Sequence, residues 1–431
     1  MYMATKTLHP PTALEADRQG AVLSHMPAID GLRGIAILLV LIHHFTPASS
    51  GSAFTKVMLD VAHTGWIGVD LFFVLSGFLI TCILLKTRNN PDYFINFYAR
   101  RTLRIFPIYY LTLVALLVVL PALLHTPGIG PMLDQWFNNT TRDLQSMLDG
   151  QAWLWLYGAN VKIALEGERW GAVNHFWSLA VEEHFYLVWP VVVYFVSRTQ
   201  LKRVCLVLIL AAPLMRALMM AAGFDSVVPY VFTLTRVDSL AVGGLLAALV
   251  TERNGFAKWT PRLGGLALVA GTMFIAIIAY YGRLHRDDFF TTVFGYSLLA
   301  ALSAWVVLKA AQVRPYTLAC RALANPVFAS LGKYSYGIYV THMFFVPVYI
   351  KLFGWNALRE LTGAYWIAIV LHCVLAIACS WFIAFVCYHA FEKHFLRLKR
   401  FFDYRKPTTA PAPATATAPR PVLIRPIRQA A

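Results

Sequence analysis

The run IDGLRGIAILLVLIHHF, Ile29 to Phe45, opens on a charged Asp30/Arg33 pair and closes on two histidines, His43 and His44. Read as a helix, residues eleven apart differ by about 20° around the axis and rise roughly 16 Å, so Arg33 and His44 lie on one line. His43 points about 80° away from that line. Ionisable groups within a membrane span are costly and face a protein interior, so an Arg and a His in register read as two stations along one internal path. The competing reading of such a run makes Arg33 an interfacial anchor and His44 a satisfied polar residue near the other interface.

The rest of the chain supports a membrane setting. Of its 431 residues, 58% are hydrophobic and only 13% charged, with a mean hydropathy of +0.59, well above soluble domains. The expected fold is all-α, a polytopic bundle of about ten spans at 34–47, 66–86, 105–124, 175–197, 203–222, 228–250, 263–281, 290–308, 327–350 and 364–390. With both termini inside, the cytoplasmic segments carry 26 Lys and Arg and the outer loops 8, as the positive-inside rule requires. The formal net charge of +16 then needs no nucleic-acid partner. Residues 1–27 read as a cytoplasmic segment with no cleavable leader, 28–400 as the membrane domain, and 401–431, rich in Pro, Ala and Thr, as a disordered tail. All six cysteines fall in spans or cytoplasmic segments, at spacings that match no metal signature, so neither disulfides nor a metal centre is expected.

Polar residues inside the spans are the candidates for chemistry. The second span, GWIGVDLFFVLSGFLITCILL, carries Asp70, Ser76 and Gly77, with Asp70 and Gly77 seven apart on one face. In YFINFYARRTLRIFP, assigned to the cytoplasmic segment 86–104, Arg100, Arg101 and Arg104 interleave with aromatics. Arg101 and Arg104 are three apart and can grip one phosphate together. The long outer loop 125–174 holds four tryptophans, at 136, 153, 155 and 170, suited either to the interface or to a sugar ring.

The fourth span, NHFWSLAVEEHFYLVWPVVVYFV, is the most polar. His175, Ser178, Glu182 and Tyr186 form one stripe, while Glu183 sits about 100° further round among Leu179 and Leu187. The stripe is expected at a depth comparable to Asp70 and His44. The sixth span adds Arg236 and Asp238, after Arg216 in the fifth, and an intramembrane ion pair is one reading of them. The ninth, LGKYSYGIYVTHMFFVPVYI, sets Ser335, Tyr339 and His342 on one stripe, with Lys333 near the cytoplasmic entrance. The chain leaves the tenth span in FEKHFLRLKRFF, a basic amphipathic stretch suited to the inner leaflet.

DGLRGIAILLVLIHHF, GVDLFFVLSGFLIT, RRTLR, HFWSLAVEEHFYLVWP, RVDSLAVGG and SYGIYVTH, in this order over roughly 28–395, resemble the membrane-bound acyltransferase-3 family, which includes bacterial O-acetyltransferases of O-antigen and exopolysaccharide. The resemblance implies an acyl-CoA co-substrate, acetyl-CoA foremost, entering from the cytoplasm, with no bound cofactor. It implies an acceptor hydroxyl on a surface or lipid-linked glycan reached from the other side, in the bacterial inner membrane. Roles for His44, Arg33 and the Arg101/Arg104 pair are implied as well.

Acyl transfer from a thioester to an alcohol needs a base for the hydroxyl proton, and His44 fits that part. Asp70 or Glu182 is the expected carboxylate partner, with Glu183 beside it. Arg33, Arg100, Arg101, Arg104 and Lys333 form the expected donor-binding set. Ser76, Gly77, Ser178, Arg236, Asp238, Tyr339 and His342 are expected to line the cavity. A proton-coupled transporter would also place His and carboxylates at midspan, but the two halves show no inverted hydropathy repeat.

Overall fold

The computed structural model describes residues 26–48, 52–167, 170–313 and 317–404, so most of the N-terminal segment and nearly all of the expected disordered tail lie outside the described residues. Among these residues the chain is helical and contains no strand. Ten long helices dominate: α1 (Pro27–Phe45), α2 (Ile67–Thr87), α3 (Tyr93–Val114), α4 (Phe176–Phe195), α5 (Arg198–Ala221), α6 (Thr233–Val250), α7 (Gly255–Tyr281), α8 (Tyr296–Ala311), α9 (Pro326–Thr341) and α10 (Tyr365–Cys387). Among the described residues, nine segments are long and apolar enough to cross a bilayer. They contain every long helix except α4, which has the length, at 20 residues, but carries the polar stripe.

Two helix pairs position everything else. Between α1 and α9 the backbones touch: a Cβ on Gly34 would sit 2.0 Å from the Phe328 carbonyl oxygen, and one on Gly332 would sit 1.9 Å from that of Asp30. Only glycine allows such an approach, and it brings the stripes of the first and ninth spans face to face. The second pair, α2 and α6, is built the same way, with Gly77 against Leu240 and Gly243 against Val74.

The structure refines the reading of three stretches. The arginine segment 86–104 is not separate from the third span, because α3 starts at Tyr93 and runs through Pro107, so Arg100, Arg101 and Arg104 ride on its first turns. The FEKHFLRLKRFF stretch does not lie apart from the bundle; Arg100 donates to the Lys399 and Phe402 carbonyls and pairs with Asp403, folding it back against α3. Of the four tryptophans of 125–174, Trp153 is exposed and the other three pack against protein. Trp170 is buried, Trp155 stacks on Tyr110 with centroids 5.9 Å apart, and the ring of Trp136 carries Lys351 at 4.4 Å.

Candidate active site

The α1/α9 approach joins the two stripes at both ends. Arg33 reaches Ser335 (Nη2 to Oγ, 3.4 Å), and the His44 Nδ1 lies 3.0 Å from the His342 Nε2. These contacts define an arginine end and a histidine end of the seam between α1 and α9.

A cavity of about 810 Å³ opens at the arginine end, within the range of about 300–1,000 Å³ usual for ligand sites. Five cations line it, Arg33, Arg101, Arg104, Lys333 and Lys399, against three carboxylates, Asp30, Glu182 and Glu183. Arg101 lies with its guanidinium carbon 3.7 Å from the centroid of the Tyr186 ring, which fixes the plane of its fork. Arg104 is tethered by Glu392 at 3.3 Å. Lys333 is exposed at the rim, its Nζ 4.9 Å from the Tyr334 and Tyr388 rings. Glu182 accepts from the Ser76 hydroxyl at 2.7 Å, which ties α4 to α2 across the cavity.

At its inner end the cavity stops at Ser178 and Tyr339, whose hydroxyls lie 2.6 Å apart. Beyond that pair the rings of His44, His175 and His342 cluster, with centroids 5.0 Å apart for His44 and His342, 4.8 Å for His175 and His342, and 6.5 Å for His44 and His175. His342 and His175 are buried, whereas His44 is half-buried. His43 turns away as its helical angle requires and bonds the His63 carbonyl at 2.8 Å.

Several expected positions differ from those found. Asp70 and Gly77 do share a face, but that face packs on α6 and does not line the cavity. Asp70 accepts from Arg236 at 2.9 Å and from Ser239 at 3.1 Å, and no contact joins it to His44. Arg236 is enclosed by four rings, Tyr296 nearest at 4.1 Å, with Tyr230, Trp177 and Phe73 at 5.2–5.7 Å. Asp238 pairs with Arg216 at 3.0 Å, and both bond Ser297. Arg236 and Asp238 therefore belong to a sealed network outside the cavity, because each found a partner on a neighbouring helix. Arg100 likewise faces Asp403 and not the cavity.

The carboxylates shift too. Glu182 is not at the depth of His44; it lies seven residues, roughly 10 Å of helix, beyond His175. Glu183 lines the cavity together with Glu182, since the space is wide enough for residues about 100° apart on α4 to reach it. The ring nitrogen, not a carboxylate, is what meets His44. Lys399 was the cation not singled out in the sequence: its stretch shows basic amphipathic character, but its fold-back onto α3 depends on Arg100 bonding carbonyls some 300 positions away.

Comparison with known proteins bears on the chemistry this arrangement serves. Residues 26–385 match the acyltransferase-3 family model, described as an acyltransferase domain. A Bacillus subtilis protein provisionally named a peptidoglycan O-acetyltransferase is 27% identical over 379 residues, 86% of this chain and 54% of its own length. The peptidoglycan O-acetyltransferase of Listeria monocytogenes is 29% identical over 336 residues, covering 74% of this chain and 49% of its own. No solved structure matches the chain. The chain thus spans about half the length of the curated relatives it matches. With that match over most of its length, on a bundle whose long helices are mostly apolar enough to cross a membrane, the chain belongs to the acyltransferase-3 family.

Proposed function

We propose that this enzyme moves an acyl group, acetyl foremost, from acyl-CoA on the cytoplasmic side to a hydroxyl of a surface or lipid-linked glycan on the other. The observation that carries this reading is the cationic cavity at Arg33, in line along α1 with the histidine cluster that lies beyond Ser178 and Tyr339. CoA carries phosphates at one end and its thioester at the other. Arg33, Arg101 and Arg104 hold the phosphates, Arg through a fork that suits phosphate oxygens. Lys333 and Lys399 add charge at the rim. The pantetheine arm then extends along the apolar α2 wall towards Ser178 and Tyr339.

His44 is the general base. It takes the proton of the acceptor hydroxyl while that oxygen bonds to the thioester carbonyl carbon, the carbon–sulfur bond breaks, and the same proton passes to the leaving thiolate. For the acyl carbon to meet the acceptor beside His44, the Ser178–Tyr339 contact has to part. Glu182, held by Ser76, keeps a carboxylate facing the thioester arm. The relatives' names point to a cell-wall glycan as the acceptor class.

The test is release of free CoA by purified enzyme in liposomes supplied with acetyl-CoA and a glycan acceptor. Acceptor-dependent release is expected, whereas a proton-coupled transporter releases none, and no release with any glycan would refute the reading. Sidedness has its own test. A cysteine placed in 125–174 should react with an impermeant thiol reagent on intact cells and one placed in 86–104 should not; the reverse pattern inverts the donor side.

A further inference from the structure

We propose that His342 is a positioning residue that fixes the tautomer of His44. This rests on the reading of His44 as the base. At the end of α9 the His342 Nδ1 meets two main-chain carbonyls, which can only accept, that of Tyr339 at 2.8 Å and that of Ile338 at 3.2 Å. Only an N–H is stable there, since a lone pair against two carbonyl oxygens would leave buried polar atoms unpaired. A neutral imidazole has one N–H, so the His342 Nε2 carries a lone pair. The rings around His342 are His44, His175, Phe45 and Tyr339, and no carboxylate is among its bonded partners to balance a second proton.

The consequence passes along one bond. The His44 Nδ1, 3.0 Å from that lone pair, must be the donor. His44 is then held with its proton on Nδ1, and its Nε2 is the atom able to accept the hydroxyl proton. Orienting a base through its second nitrogen is ordinarily work for a carboxylate. Here a neutral imidazole does it, itself fixed by the main chain of α9, and it remains neutral while His44 gains and passes on the proton.

Three variants test this, with activity expressed per folded enzyme. The amide of His342→Gln reaches the place of Nε2 and can accept from His44. That of His342→Asn reaches only the place of Nδ1, so it keeps the bond to Tyr339 and loses the acceptor. His342→Phe keeps the ring and neither bond. His342→Asn and His342→Phe should each lower kcat about tenfold or more, with the acyl-CoA KM within about twofold, and His342→Gln should recover most of the loss. Equal kcat in the Asn and Gln variants, or a loss confined to KM, overturns the proposal. His44→Ala separates the two levels. Near-normal activity in that variant removes the base assignment itself, whereas an inactive His44→Ala beside fully active His342→Asn removes only the tautomer role.

Discussion

Two sets of arginines both ride on segments long and apolar enough to cross a membrane, yet they are opposite in structure. Arg216 and Arg236 have no exposed surface, and each meets a carboxylate on another helix, Asp238 and Asp70, at 3.0 and 2.9 Å. Arg33 and Arg101 are half-buried and face an open cavity, where a hydroxyl at 3.4 Å and an aromatic ring are their close neighbours. A charge enclosed together with its counter-charge, with no surface left open, is committed to holding helices together. A charge fixed in direction but left facing space can take up an anion that arrives from outside. Intramembrane charge alone does not mark function; what the charge faces does.

The largest effect should come from breaking the sealed set. Arg236→Gln leaves Asp70 buried without its partner, a type of change that costs about 3–5 kcal/mol of stability. The loss should appear as poor yield and a lowered Tm, while the correctly folded fraction retains its donor affinity. An Asp70→Asn enzyme as stable as wild type would mean that the pair is not structural.

Opening the other set should affect binding before folding. Arg101→Ala and Arg104→Ala each remove a charge-assisted contact worth about 1.5–3 kcal/mol, so acyl-CoA affinity should fall roughly 10- to 150-fold per site. Titration of labelled acyl-CoA checks this, and unchanged affinity in the double variant would return the pair to a topological role. A smaller effect, about tenfold in kcat, is expected for Glu182→Gln, which keeps the shape and the Ser76 contact but not the charge. Glu183→Gln should fall below that. If Glu183→Gln is the more damaging of the two, the roles of the carboxylates exchange.

Much of this division was within reach of the sequence, and the reasons for the remainder are physical. Helical periodicity sufficed to put Arg33 in line with His44, and His175, Ser178 and Glu182 on one stripe, because those relations are internal to one helix. The same rule put Asp70 and Gly77 on a common face, yet it has no information on which helix that face meets. The contact with α6 is decided by two glycines 166 positions apart, Gly77 and Gly243, each against a backbone on the other helix. His342 was assigned to the cavity lining for a similar reason. Its stripe was visible, but its bond to a ring 298 positions away was not. Lys399 shows the limit at the bundle's edge, where the amphipathic pattern was visible but the fold-back that brings this lysine to the cavity was not.

The most direct measurement sets the two kinds of arginine side by side: thermal unfolding of wild type, Arg236→Gln and Arg101→Ala, each with and without saturating acyl-CoA. A ligand that binds only the folded state raises its stability in proportion to the logarithm of its concentration over Kd. Arg236→Gln should unfold at a lower temperature than wild type and still be stabilised by acyl-CoA. Arg101→Ala should unfold close to wild type and lose most of that stabilisation. If instead Arg101→Ala keeps the full acyl-CoA shift, or Arg236→Gln melts with wild type, the separation of structural from donor-binding charge is contradicted.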